Sequence, residues 1–199
     1  MIIQIILLIL GSLVFLFNFW RFLKEDYFEN QIFTVGFYIF FFVFVGDVLS
    51  LFFASNYWFW FSFVGMLVGL GIASWRYKMR IFELLEAGVV ALFAPIILFL
   101  FYDGITARHA ASFFAIAGVG LLIGLYYFLN IHYKKFSWYK SGRIGFAGVS
   151  VLAVFFIVRA LLAIWFPTMI SFASYEWLIS GSAAFLSFLT LFHLTFKTA

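Results

Sequence analysis

Cysteine is absent from the 199 residues, and charge is scarce, with Asp, Glu, Lys and Arg together making up 10% of the chain. The first absence excludes disulfides, thiolate metal sites and a cysteine nucleophile within this chain. The second leaves too little polar surface to cover a water-soluble globule, since 67% of the residues are hydrophobic. Lipid is therefore the expected solvent. Histidine is sparse as well, and His109, His132 and His193 stand far apart. No HExxH, His/Asp cluster or glycine-rich phosphate loop occurs, so nothing supports a soluble metalloenzyme or a nucleotide-binding protein, and no metal or cofactor is expected.

What the sequence does contain is long apolar stretches. A bilayer core of roughly 30 Å asks for about 20 apolar residues per helix. Stretches of that kind lie between the charges at 2–20, 32–54, 57–75, 82–102, 109–130, 144–166 and 174–195. They fill the chain, so the expected fold is all-α: a single transmembrane domain over 1–199, a polytopic bundle of about seven helices. The first stretch does not read as a cleaved signal peptide, because its charges, Arg21 and Lys24, follow the apolar core instead of preceding it.

Lys and Arg counted by loop give the orientation, since positive loops are retained in the cytoplasm. Arg21, Lys24, Arg76, Lys78, Arg80, Lys134, Lys135, Lys140, Arg143 and Lys197 fall on one side, whereas the other has Arg108 alone. The N-terminus is thereby expected outside and the C-terminus inside. With a net charge of +4 distributed over helix ends, anionic lipid headgroups are the expected partner and nucleic acid is not. The tryptophans Trp20, Trp58, Trp60, Trp75, Trp138, Trp165 and Trp177 fall at or just beyond stretch ends, as interfacial anchors do. Gly65 with Gly69, and Gly120 with Gly124, have the spacing that lets membrane helices approach closely.

Charges inside the hydrocarbon cost about 2.5–3.5 kcal/mol each on insertion scales and need a reason. Asp47 and Arg159 each lie about 10 Å inside an outer helix end, which makes them a candidate pair. Asp103, Arg108, His109 and Glu176 lie nearby on the outer side. One account has Arg159 reaching up to the surface and neutralising Asp47, with His109 capping a loop. The other is a polar pocket open to the outer leaflet, with two arginines for a lipid phosphate. On the inner side, Glu83 and Glu86 are expected to complement the start of the fourth helix and to pair with Arg76, Lys78 or Arg80. His132 reads as an interfacial side chain and His193 as a packing histidine.

Several stretches resemble the prolipoprotein diacylglyceryl transferase family: FSFVGMLVGLGIASWRYKMR (61–80), FELLEAGVVALFAP (82–95), ARHAASFF (107–114) and KSGRIGFAGVSVLAVFFIVRALLA (140–163). They are similar, in order, to the family's glycine-rich third helix with its basic end, its fourth-helix entry with an acidic residue and an Ala-Pro step, its Arg-His segment, and its glycine-initiated sixth helix with an arginine. The resemblance implies a seven-helix, N-out, C-in protein of a bacterial-type plasma membrane. It also implies transfer of diacylglyceryl from phosphatidylglycerol to the cysteine of a lipoprotein-precursor peptide. Residue by residue, Arg159 matches the arginine of the sixth helix, Arg108 and His109 match the Arg-His step, and Gly142 matches the glycine before the sixth helix; Arg159 and Arg108 are then the candidates to hold the phosphate and His109 or Asp103 the candidate catalytic residue, with Asp47 in support. The family's His-Gly-Gly step is Phe63, Val64 and Gly65 here, its Tyr-Glu pair is Phe114 and Ala115, its Arg-His proline is Ala110, and its Gly-Arg-x-Gly-Asn-Phe signature is absent. Two rival expectations are a non-catalytic lipid-binding or scaffold protein and a small transporter or channel. The latter usually has related halves or broken helices, and only Pro95 and Pro167 hint at such interruptions.

Overall fold

The computed structural model describes residues 2–106, 110–136, 139, 144–165 and 173–196. Within them run α1 (Ile2–Leu23), α2 (Glu29–Phe53), α3 (Trp58–Tyr77), α4 (Ile81–Thr106), α5 (Ala110–His132), α6 (Phe146–Trp165) and α7 (Glu176–Phe196). Each end lies within four residues of the expected one. Several helix ends take in a charged residue. Arg21 sits in the last turn of α1, while Glu29, Glu83 and Glu176 sit in the first turns of α2, α4 and α7, each charge sign complementing the helix dipole.

Among the described residues, seven helices are long and apolar enough to cross a membrane. Their outward faces carry bare apolar side chains, such as Phe52 at 81% exposure and Leu121 at 77%. A soluble monomer rarely leaves so much contiguous apolar surface uncovered, whereas lipid accepts it. The chain is a multi-pass membrane protein.

The described interior holds three packing clusters, each including or packed against residues of α4. Phe15, Phe19, Ile32, Val35, Leu70 and Leu84 fill the space between α1, α2, α3 and α4. Val89, Phe93, Tyr126, Ala147 and Val151 join α4 to α5 and α6. The α1–α2 and α3–α4 connections meet at one end, where Tyr27 reaches Glu83; the α2–α3 and α6–α7 connections meet at the other, where the Tyr57 hydroxyl donates to the Ser174 carbonyl. The first is called the basic end below, because it carries Arg21, Lys24, Arg76, Lys78 and Arg80.

Glycine decides how close some helices come. A Cβ on Gly46 would overlap the Phe61 carbonyl, and one on Gly65 the Phe42 carbonyl, so α2 and α3 pack backbone to backbone. Gly148 at the start of α6 packs likewise on Glu86 of α4, where an added Cβ would lie 2.7 Å from the Glu86 Cα. By contrast, nothing lies within 4 Å of the Cβ positions of Gly120 and Gly124. The expected close contact is thus present at Gly65 and Gly69 and absent at the α5 pair, which has open space beside it.

Gly46→Ala and Gly65→Ala are each expected to lower stability by about 1–3 kcal/mol through overpacking against immovable backbone. Gly120→Ala and Gly124→Ala should stay within about 0.5 kcal/mol of the parent. Thermal unfolding of the four variants in one detergent checks the contrast.

Candidate functional site

At the end opposite the basic one, α7 begins with a carboxylate that is almost sealed from solvent: Glu176 is 2% exposed. A buried carboxylate is tolerated only when paired and hydrogen-bonded, and here three helices supply the partners. Arg159 of α6 donates from Nε to Oε1 at 2.7 Å, and Ser180, one turn along α7, donates to the same oxygen at 2.7 Å. Trp60 of α3 shares its indole N–H between the two carboxylate oxygens at 3.2 and 3.1 Å. The Ala173 amide approaches Oε2 at 3.4 Å.

Aromatic rings enclose this cluster. The Arg159 guanidinium carbon lies 3.9 Å from the centre of the Phe59 ring, in cation–π geometry. Phe156, one turn before Arg159 on α6, stacks on Trp60 at 5.5 Å. The side chain of Arg159 keeps 15% exposure, so the guanidinium is oriented by protein on several sides while retaining access from outside. Side chains, not close backbone contact, carry this junction of α3 with α6 and α7.

Asp47 does not pair with Arg159. Its carboxylate accepts from the Ser62 hydroxyl of α3, and the carboxylate that Arg159 takes is Glu176. The reason is positional: Trp60 and Ser62 are two residues apart on α3, which turns their side chains about 200° away from each other. Asp47 therefore meets one side of α3 while the Arg159–Glu176 cluster meets the other. Asp103, in the last turn of α4, accepts from Ser112 of α5. Arg108, His109 and Gly142 lie outside the described residues.

The basic end holds a second polar group. Glu83 and Glu86 are each 2% exposed, and neither takes the expected partner among Arg76, Lys78 and Arg80. Glu83 accepts from the Tyr27 hydroxyl at 2.6 Å, and that hydroxyl in turn accepts from the Arg80 amide at 3.2 Å. The Glu86 carboxylate faces the Gly145 amide at the start of α6 and the Tyr126 hydroxyl of α5, which is buried and outside ordinary hydrogen-bond geometry. Gly145 can serve there because its φ of 109° suits glycine and a Cβ would press on Phe82. Tyr27 lies in the α1–α2 connection, and burial, reinforced by its bond to Glu83, raises its phenol above the ordinary value of 10.0.

Trp60, Ser180 and Tyr27 were not legible as site residues. The Glu176-to-Ser180 spacing is one helical turn and carried a usable signal, since a serine there can reach the carboxylate. Trp60 carried none. An indole near a helix end reads the same whether it turns to headgroups or inward to a carboxylate. No family model matches the chain, and neither a curated protein nor a solved structure matches it.

Removing one partner of the buried pair should cost more than removing both. Glu176→Ala or Arg159→Ala is expected to lose about 3 kcal/mol by stranding a charge, and the double variant to recover part of that loss. Unfolding of the four proteins in one double-mutant cycle gives the coupling directly. A second expectation concerns alkali. Because the Tyr27 pKa is raised on folding, its contribution is complete below the unfolded value of 10.0 and is lost as pH climbs through the folded value. The gap in melting temperature between the wild type and Tyr27→Phe should hold steady at neutral pH and narrow above pH 10.

Proposed function

We propose that this membrane protein binds the phosphate of a phosphatidylglycerol-type lipid in the outer leaflet and works as a divergent relative of the prolipoprotein diacylglyceryl transferases. The observation that carries the reading is the placement of Arg159. The guanidinium is fixed by Glu176 and by the Phe59 ring at the end away from the basic loops, which the positive-inside rule assigns to the exterior. A pre-oriented arginine with partial access is the side chain best suited to a lipid phosphate. The order of similar stretches along the chain supports the same reading.

In the enzymatic form, Arg159 and Arg108 hold the phosphate and His109 takes the proton from the precursor thiol, with Asp103 the other candidate base. The thiolate forms a sulfur–carbon bond with the glyceryl carbon as that carbon's bond to the phosphate oxygen breaks. Glycerol phosphate leaves with the bonding electrons. Partly neutralised cations stabilise that leaving charge. The membrane is then a bacterial-type plasma membrane and the protein partner a lipoprotein-precursor peptide.

A second reading keeps the lipid site without turnover, and one observation favours it: the Arg159–Glu176 pair already gives the arginine a carboxylate inside the fold. Incubating the purified protein with phosphatidylglycerol and a cysteine-bearing precursor peptide separates the two. A thioether product that disappears in His109→Ala supports transfer. Bound phosphatidylglycerol without product, reduced in Arg159→Lys, supports the lipid-binding form, and neither result would overturn both.

A further inference from the structure

At the basic end, a cleft of about 190 Å3 opens between the α1–α2 and α3–α4 connections, lined by Asp26, Tyr27, Lys78, Arg80 and Glu83. Its charges are balanced, two carboxylates and two cations, yet among the described residues these four side chains form no ion pair with one another. Glu83 is at the buried side of the cleft, held by Tyr27, whereas Asp26 and Arg80 are exposed. Opposite charges that share one cleft without meeting leave room for a ligand that carries both signs.

Lys78 adds a separate observation. It ends α3 in the left-handed conformation, with φ 55° and ψ 29°, at a position where glycine is the favoured residue. A lysine there carries backbone strain that glycine would not. The connection is otherwise tied by Ser74, whose hydroxyl donates to the Met79 carbonyl at 2.7 Å. The lysine side chain is thus present despite the conformation, pointing to a use for its charge.

The surroundings indicate what fits. The cleft lies at the helix ends, at headgroup level, with exposed Phe28, Trp75 and Ile81 next to it in the chain. Its volume falls below the roughly 300 Å3 at which small-molecule sites begin, which suits a headgroup whose acyl chains stay outside along those apolar residues. We infer that this cleft binds a zwitterionic phosphoethanolamine group, with Lys78 and Arg80 on the phosphate and Asp26 and Glu83 on the primary ammonium. Phosphatidylethanolamine of the leaflet at the basic end is its lipid source. A quaternary ammonium offers these carboxylates no N–H donor, and phosphatidylglycerol offers no cation, so neither is an equal ligand.

This site is at the opposite end from Arg159, shares no residue with the proposed lipid-transfer site, and stands or falls independently of it. The test is native mass spectrometry of the full chain released from nanodiscs holding equal phosphatidylethanolamine, phosphatidylglycerol and phosphatidylcholine with matched acyl chains. Wild type is expected to retain phosphatidylethanolamine preferentially. Lys78→Gly and Arg80→Gln should each lower phosphatidylethanolamine retention about tenfold, as expected for one charge-assisted contact. Lys78→Gly should do so without a lower melting temperature, because glycine relieves the backbone strain. Competition by soluble phosphoethanolamine would support the cleft and name a soluble source, while its failure beside retained lipid would support the lipid. Equal retention of phosphatidylcholine by the wild type, or phosphatidylethanolamine retention unchanged in both variants, would overturn the inference.

Discussion

Lipid provides no hydrogen bonds, and the rest of the structure follows from that constraint. Backbone groups must be satisfied within each crossing segment, which leaves the helix as the solution for these apolar stretches. Polar side chains face the same demand at higher stakes, because an unpaired carboxylate in hydrocarbon is far costlier than an unpaired hydroxyl. The buried carboxylates accordingly act as junctions. Glu176 draws donors from α3, α6 and its own helix, and Glu83 takes the Tyr27 hydroxyl from the α1–α2 connection.

These junctions complement contacts made by small residues. Where α2 meets α3, glycines allow the backbones to touch, and the Asp47 carboxylate of α2 accepts from the Ser62 hydroxyl of α3. Where α3 meets α6 and α7, aromatic rings fill the gap and an ion pair bridges it. The first kind of contact resists deformation because peptide groups cannot move aside. The second depends on a few side chains, of which Arg159 keeps partial access from outside.

The two ends of the bundle therefore differ in kind. At the end carrying Glu176, one arginine and one carboxylate are already paired within a shell of aromatic rings. At the basic end, cations and carboxylates share an open cleft without pairing. The difference reflects spacing: Lys78 and Arg80 sit in a tight connection that turns their chains outward, whereas Arg159 lies within a helix whose neighbour begins with an acid.

The sequence alone determined the solvent, the number of crossings and their limits to within a turn, because these depend on composition and on runs of apolar residues. It also singled out Asp47 and Arg159 as charges in need of a reason, with Glu176 nearby on the same side. The choice of partner came only from the tertiary structure. Asp47 and Arg159 had matching depth and opposite sign, but depth is one coordinate of three, and the turn of α3 between Trp60 and Ser62 put them on different sides of a helix. Likewise, the glycine spacing in α3 and α5 was the same in kind, and only the presence of α2 against α3 made one pair a contact. Side-chain direction around an axis and the identity of the neighbouring helix are set by packing, and a one-dimensional pattern does not carry either.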